Sequence, residues 1–169
     1  MYAKLDREIK KAAEALIGVL REKRMTFATA ESCTAGMISS KMGDFAGVSD
    51  VLLGGIVSYA NEVKMNVLGV PEETLASVGA VSEECARYMA EGARRVTGAD
   101  IAVSVTGIAG PGGGTSEKPV GTVCFGVATA DGVHTETAHF SENADRGTIR
   151  RLTVKRALEM CAEECAHLK

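Results

Sequence analysis

The sequence has no tryptophan, and only 4% of its 169 residues are aromatic. A core with so few rings must be built from aliphatic side chains, and a surface on which single-stranded nucleic acid stacks its bases is not expected. The chain also lacks an excess of positive charge, since its formal net charge at pH 7 is −3. Proteins that neutralise a phosphate backbone are normally basic, so the composition argues against nucleic acid as a partner.

Long apolar runs are missing too. No stretch approaches the ~20 apolar residues that cross a bilayer, and charged residues interrupt the N-terminal segment where a secretory signal would have a hydrophobic core. We therefore expect no membrane partner. The five cysteines are an odd number, and without a secretory signal they indicate reduced thiols and a cytoplasmic location.

Helical and strand patterns alternate over a length typical of one domain, 1–169. Apolar residues at three- and four-residue spacing predict a helix over 2–23. Further helices are predicted at 35–42, 61–68, 71–78, 82–97 and 145–167, and strands at 26–29, 51–59, 100–106, 121–129 and 133–140. This order predicts an α/β fold, a three-layer α/β/α sandwich with a mixed, mostly parallel sheet of about five strands.

Local signals refine this prediction. Asn61 and Ser82 are placed at the starts of the third and fifth predicted helices, where their side chains can cap free N–H groups. Gly54 and Gly55, inside the second strand, indicate a bulge or the close approach of another backbone. An Asp-Gly pair at 131–132 predicts a hairpin between the last two strands.

A serine lies where the first strand gives way to a helix. Ser32 falls in the turn, beside the free N–H groups of a helix N-terminus. Its hydroxyl is a helix cap, a ligand contact or a nucleophile. Polar residues also follow the next two strands at 58–64 and 106–107. Ligands of open α/β sheets bind at the carboxyl ends of strands, so the three segments together predict a site.

A nucleophilic serine needs a base. The three histidines, His134, His139 and His167, lie late in the chain and outside any catalytic motif. Lys64 is the alternative, provided that burial or nearby positive charge keeps it neutral. Tyr59 precedes it by about one helical turn and can face the same cavity, where it would relay or orient a proton. A solvated surface lysine remains the other interpretation of Lys64.

Glycines and arginines supply candidate anion contacts. The glycine-dense segment 107–114 matches no nucleotide-binding fingerprint, yet its N–H groups can hold a phosphate or carboxylate. A flexible surface loop is the alternative. Arg146 and Arg150 share one face of the last helix, and either can bind an anion or remain solvated.

Metal chemistry is not indicated. Cys161 and Cys165 fall on the apolar stripe of the last helix, with no further ligands placed to complete a site. We interpret them as core thiols. Cys33 lies next to Ser32 near a helix N-terminus, where a thiol can be reactive, and we assign it a backbone N–H donor role instead.

Five ordered motifs resemble the CinA C-terminal domain family, the PncC-type nicotinamide-nucleotide amidases. They are AESCTAG at 30–36, GIVSYANEVK at 55–64, GAVS at 79–82, VTGIAGPGG at 105–113 and KPVGTV at 118–123. The resemblance spans nearly the whole chain and implies the stand-alone form, without the additional N-terminal domain of longer CinA proteins.

The resemblance implies hydrolysis of nicotinamide mononucleotide to nicotinic acid mononucleotide and ammonia, without a metal or cofactor. Ser32 would be the nucleophile, with Lys64 and Tyr59 its catalytic partners. As our own hypothesis for the mechanism, the N–H groups of Cys33 and Thr34 would be the oxyanion donors. Substrate binding would fall to five residues. They are Thr106, Gly107, Gly110, Gly112 and Arg146, with Arg150 an alternative to the last.

Two other kinds of function remain open. The same loop and arginine would serve a non-catalytic nucleotide-binding or regulatory module, in which Ser32 only caps a helix. The family name also suggests a competence- or damage-linked interaction domain. The partner expected is a small-molecule nucleotide, and a homo-oligomer is left open.

Overall fold

The computed structural model describes residues 2–168. Its strands are β1 Phe27–Glu31, β2 Leu52–Val57, β3 Ile101–Gly107, β4 Thr122–Thr129 and β5 Gly132–His139. Its helices are α1 Tyr2–Lys23, α2 Met37–Gly43, α3 Asn61–Asn66, α4 Glu72–Ser77, α5 Glu83–Thr97 and α6 Arg146–His167, with a short 3-10 turn at Val48–Asp50. Within this described part, no helix combines the length and apolar character needed to cross a bilayer.

The five strands form one mixed sheet in the order β2-β1-β3-β4-β5. Strand β1 is parallel to both β2 and β3, whereas β4 is antiparallel to β3 and β5. Every residue of β1 is buried, as is nearly all of β3, which is typical of parallel strands covered on both faces. The predicted mixed α/β sheet is confirmed.

Helices cover both faces of the sheet. One hydrophobic cluster joins the sheet to α1, α2 and α6. A smaller cluster, in which alanines of β1 and β3 meet Cys85, Met89 and Ala93 of α5, fills the other face. The three layers of the predicted sandwich are therefore present, with an aliphatic core that contains only two fully buried phenylalanines, Phe27 and Phe125.

One predicted helix start and one predicted helix cap are wrong. The helix predicted from residue 35 begins at Met37, because Ala35 (φ 51°) and Gly36 (φ 92°) adopt left-handed backbone conformations that interrupt a right-handed helix. Ala60 is the N-cap of α3, so Asn61 is its first helical residue and its side chain does not cap. The cap at Ser82 is confirmed, since its side chain accepts a hydrogen bond from the N–H of Cys85.

The glycine pair of β2 lies at an irregular point of the sheet. Phe27 pairs with Leu52 but Ala28 pairs with Gly54, so β2 carries an extra residue and the predicted bulge is confirmed. A Cβ on Gly55 would lie 2.5 Å from Thr29 Oγ1 and would also collide with Ser39 of α2. The close neighbours of Gly55 are therefore side chains and not, as one alternative predicted, another backbone.

Candidate active site

The carboxyl ends of β1, β2 and β3 meet at one edge of the sheet, because the three strands are parallel. A cavity of about 220 Å³ lies there. Its polar lining comes from Ser32, Tyr59, Asn61, Lys64, Thr106 and Arg146. A larger depression, of about 530 Å³, lies near the opposite edge beside the β4–β5 hairpin, and no serine, lysine, cysteine or histidine is among its lining residues.

Ser32 lies directly after β1 and is held there by the main chain. Its N–H donates to Val105 O of β3 at 3.0 Å, and its own carbonyl accepts from Ala35 N at 3.0 Å. The second bond closes the turn that leads into α2. The Ser32 side chain is thereby fixed in the cavity wall, and only 9% of the residue is exposed.

The buried side chain of Glu31 stabilises the turn that follows β1. Glu31 is fully buried, and one of its oxygens accepts from Thr34 Oγ1 at 2.6 Å and from Ile38 N at 3.0 Å. The other oxygen accepts from Ser39 N at 2.9 Å. The two N–H groups belong to the first turn of α2, where free donors and the helix dipole favour a negative charge. Glu31 therefore ties the turn to α2.

Lys64 reaches the cavity from α3. The residue is 1% exposed, and its Nζ lies 3.1 Å from Ser32 Oγ. The same nitrogen donates to the carbonyl oxygens of Ser58 at 2.7 Å and Tyr59 at 3.1 Å. A neutral amine has two N–H bonds and one lone pair. If both N–H bonds go to the carbonyls, the lone pair is left facing the Ser32 hydroxyl.

Burial lowers the pKa of Lys64 below its ordinary value of 10.5. Across residues 2–168, no aspartate or glutamate forms an ion pair with it. The thiols of Cys85 and Cys33 would favour the charged amine only as thiolates, and burial raises the pKa of each to about 11. The surroundings therefore shift Lys64 toward its neutral form, which a general base requires.

Tyr59 and Arg146 meet over the cavity. The tyrosine hydroxyl accepts from Arg146 Nη2 at 3.0 Å, and Arg146 Nη1 donates to Gly110 O at 2.7 Å. Tyr59 is 57% exposed. Its hydroxyl forms this bond with Arg146 and none with Ser32 or Lys64 among residues 2–168. Arg146 thus links the end of β2 to the glycine-dense segment 107–114, which we call the glycine loop.

The cavity holds a serine–lysine pair beneath an arginine, at the edge of a mixed five-stranded sheet. A family model described as the CinA C-terminal domain matches residues 9–165. The chain belongs to this family.

Relatives of this CinA domain include longer proteins. A CinA-like protein of Thermotoga maritima is 46% identical over 149 residues, which are 88% of this chain and 36% of that relative. The chain thus spans about a third of the length of the curated relatives that it matches.

Solved structures share the fold. The competence/damage inducible protein CihA from Agrobacterium tumefaciens superposes with a TM-score of 0.87 at 42% identity, covering 90% of this chain and 93% of that one. The competence damage-inducible protein A (ComA) from Klebsiella pneumoniae gives a TM-score of 0.90 at 34% identity, covering 95% and 99%.

The site residues predicted from the sequence of this CinA domain divide into two groups. Seven of them line the cavity together: Ser32, Cys33, Tyr59, Lys64, Thr106, Gly107 and Arg146. The Thr106 hydroxyl donates to Ala80 O at 2.8 Å, which joins the end of β3 to the segment before α5. The hydroxyl proton of Thr106 is therefore already donated to a main-chain carbonyl of the protein.

The others do not line the cavity. The Thr34 hydroxyl turns toward Glu31, and Gly110 contributes its carbonyl to Arg146. Gly112 borders a separate surface depression with its neighbours in the glycine loop. Arg150, the predicted alternative to Arg146, binds the main-chain carbonyls of Cys33 and Thr34 and lies outside the cavity lining.

Cys33 is 4% exposed, and burial raises the pKa of its thiol to about 11. A thiol in this state is a poor nucleophile, which supports a main-chain role for Cys33. Across residues 2–168, neither Cys33 N nor Thr34 N donates a hydrogen bond to a main-chain carbonyl. Two N–H groups beside Ser32 are therefore left without a main-chain acceptor; Cys33 lines the cavity and Thr34 is fully buried behind it.

Sequence reasoning misses two contributors. The sequence predicts a helix cap at Asn61, yet this residue lines the cavity from the first turn of α3. Glu31 stands out in the sequence only as a polar residue at a strand end. The signal for Asn61 is its place three residues before Lys64, nearly one helical turn, which puts both residues on one side of α3.

Proposed function

We propose that this CinA domain is an amidohydrolase that converts nicotinamide mononucleotide to nicotinic acid mononucleotide and ammonia. One observation carries the proposal, the 3.1 Å contact between the buried Lys64 Nζ and Ser32 Oγ. A serine with an uncharged amine as its base is suited to acyl transfer. The relatives' names refer to competence and damage and state no reaction, so the proposal rests on this geometry and on the motif resemblance.

In the proposed reaction, Lys64 takes the proton of Ser32 as Oγ attacks the carboxamide carbon. The N–H groups of Cys33 and Thr34 hold the developing oxyanion, which contributes about 3 kcal/mol per donor in comparable sites. The lysine then gives its proton to the departing nitrogen, and ammonia leaves as the acyl-enzyme forms. Water, deprotonated by the same lysine, hydrolyses the ester to the carboxylic acid and free Ser32.

The size and charge of the cavity fit part of such a substrate. Its volume of about 220 Å³ is below the ~300–1,000 Å³ of pockets that enclose a whole drug-sized ligand. The amide-bearing ring would enter it while the ribose phosphate remains at the mouth, near Arg146 and the glycine loop. No aspartate or glutamate of residues 2–168 lines the cavity to repel that phosphate.

Ammonia release from nicotinamide mononucleotide tests the proposal. We expect the wild-type chain to release ammonia, and Ser32→Ala and Lys64→Met each to lose at least about 10³-fold in kcat. Ser40→Ala, an exposed serine on α2, is the matched control and should keep the wild-type rate. Retention of most of the rate by Ser32→Ala would exclude it as the nucleophile, and binding of the nucleotide without ammonia release would favour a regulatory module.

A further inference from the structure

Arg150 hydrogen-bonds to the main chain of the turn at 32–35, which we call the serine turn. From the second turn of α6, its Nε donates to Cys33 O at 3.1 Å and its Nη2 donates to Thr34 O at 2.9 Å. The partners are more than a hundred residues apart in sequence, and the guanidinium is partly buried. The next residue, Arg151, pairs instead with the carboxylate of Asp6, so the choice of carbonyls distinguishes Arg150 from its neighbour.

The hydrogen bond to Cys33 O fixes the direction of the peptide group between Cys33 and Thr34. The C=O of Cys33 and the N–H of Thr34 belong to one planar unit and point in opposite directions. Holding that oxygen against α6 directs the Thr34 N–H away from α6. A charged donor on the oxygen also polarises the amide and strengthens the N–H as a donor.

The same turn has two N–H groups without a main-chain acceptor directly after the candidate nucleophile. Cys33 N and Thr34 N donate to no main-chain carbonyl among residues 2–168, and they directly follow Ser32. The third N–H of the turn, that of Ala35, is used by Ser32 O. Glu31 holds the Thr34 side chain from the strand side, so the turn is restrained by β1 and by α6 together.

We propose that Arg150 is a positioning residue for the oxyanion-binding N–H groups. It orients the Thr34 N–H directly, through Cys33 O, and the Cys33 N–H indirectly, because the Thr34–Ala35 peptide that it also binds donates its N–H to Ser32 O. This role goes beyond the proposed amide hydrolysis and rests on it. It separates the two arginines of α6, since Arg146 faces the cavity and Arg150 acts through the turn. An arginine that works in this manner supports the transition state and leaves ground-state binding of the phosphate unaffected.

Steady-state kinetics distinguish positioning from anion binding. For Arg150→Lys and Arg150→Met we expect kcat to fall at least tenfold, toward the ~10²–10³-fold loss of one oxyanion donor. KM should change by less than about threefold, and the midpoint of the pH–rate profile should not move, because Lys64 is untouched. Arg151→Lys and Arg151→Met, on the same helix, are the matched controls and should keep the wild-type kcat.

Chemical rescue makes the test independent of the stability of any one variant. Arg150→Ala removes the guanidinium from its place, and millimolar guanidinium chloride should restore activity in a saturable manner. The same salt should not restore Arg146→Ala to the same extent, because Arg146 is exposed at the mouth of the cavity and its removal leaves no enclosed site for the cation. An unchanged kcat in the Arg150 variants, or a higher KM with kcat preserved, would overturn the inference.

An acyl donor unrelated to nucleotides separates this inference from the proposed function. With p-nitrophenyl acetate, Ser32 Oγ would bond to the acyl carbon as p-nitrophenolate leaves, the serine proton passing to Lys64. Intact mass should show one acetyl group on the wild type, none on Ser32→Ala, and labelling at least tenfold slower in Arg150→Met. If the nucleotide is not hydrolysed but this pattern holds, only the substrate assignment fails. Equal labelling rates, or no labelling of the wild type, would overturn the role of Arg150.

Discussion

Lys64 forms three contacts with partners of two kinds. The carbonyl oxygens of Ser58 and Tyr59 can only accept hydrogen bonds, whereas the Ser32 hydroxyl can accept or donate. Protonated Lys64 would donate to all three, and neutral Lys64 would keep the two carbonyl bonds and accept the serine proton. Proton transfer between the two side chains therefore requires no movement of heavy atoms, which is the preorganisation that acyl transfer needs.

We predict that kcat/KM rises with pH through the Lys64 pKa. Burial lowers this pKa from its ordinary value of 10.5, so the active neutral form is present above the lowered value and is lost as pH falls through it. A pH–rate profile with a single ionisation below 10.5 is the expected measurement. A profile that is flat, or that falls with rising pH over this range, would contradict a lysine base.

A second residue-scale prediction concerns the left-handed conformation of Ala35. Its φ of 51° costs an alanine roughly 1–2 kcal/mol relative to right-handed backbone, a cost that glycine avoids. Ala35→Gly should raise the free energy of unfolding by about 0.5–1 kcal/mol, after the larger entropy of the unfolded glycine chain is subtracted. Denaturant unfolding measures this difference.

The control is Ala15→Gly, an exposed alanine within α1. It should instead lower the free energy of unfolding by about 1 kcal/mol, because glycine weakens a helix interior. Equal destabilisation by both substitutions would show that Ala35 carries no such strain.

The sequence identifies the serine and lysine more securely than it identifies the arginine. Ser32 and Lys64 each follow a strand end, and parallel strands bring their carboxyl ends to one edge by geometry alone. Arg146 and Arg150 are four residues apart on one helix face, so no periodicity separates them. Only the packing of α6 against the serine turn shows that one faces the cavity and the other the Cys33 and Thr34 carbonyls.

At the scale of elements, edge strand β2 supports the site through a glycine. A Cβ on Gly55 would collide with Ser39 and Thr29, both of which hydrogen-bond to Glu31. We predict that Gly55→Ala lowers the free energy of unfolding by about 1–3 kcal/mol, as overpacking does elsewhere. The neighbouring Gly54 has no atom within 4 Å of the position that a Cβ would take, so Gly54→Ala should stay within about 0.5 kcal/mol of the wild type.

Thermal or denaturant unfolding measures both variants, and the adjacent pair isolates local packing from strand propensity. A Gly55→Ala chain as stable as Gly54→Ala would show that α2 moves away at little cost. The rate of ammonia release should follow the same order, since the displaced Ser39 and Thr29 help to hold Glu31.

Elements are predicted well where their signals are local. Ser82 and Gly98 mark the two ends of α5, and the Asp-Gly pair marks the β4–β5 hairpin. The late start of α2 escapes prediction because Ala35, a strong helix former, has a left-handed conformation that the tertiary contacts of the turn impose. Strand order cannot be derived either, since a parallel connection specifies handedness but not which neighbour a strand pairs with.

At the scale of the molecule, all five thiols lie within the two hydrophobic clusters or beside them. Each is buried, and burial raises the pKa of Cys33, Cys85 and Cys165 to about 11 and those of Cys124 and Cys161 above their ordinary value. The reactive thiolate is thus scarce at neutral pH as well as inaccessible.

Thiol release with Ellman's reagent should therefore follow global unfolding. We expect five thiols to react in denaturant and essentially none to react rapidly in the native chain, because modification must wait for opening of the core. Cys33→Ala should reduce the total to four and preserve ammonia release, since only its main chain is assigned to the site. One fast-reacting thiol in the native wild type, absent from Cys33→Ala, would contradict the buried state of Cys33.

The packing of α6 against the serine turn has a consequence for synthesis. Ser32, the proposed nucleophile, follows the first strand, whereas Arg146 and Arg150 lie on the last helix of the described chain. Segments leave the ribosome in order and can begin to fold as they emerge. A nascent chain can thus expose Ser32 and Lys64 long before α6 arrives to hold the proposed oxyanion donors. Ribosome-bound intermediates would then be catalytically silent, and activity would report that the whole domain has been released and has closed.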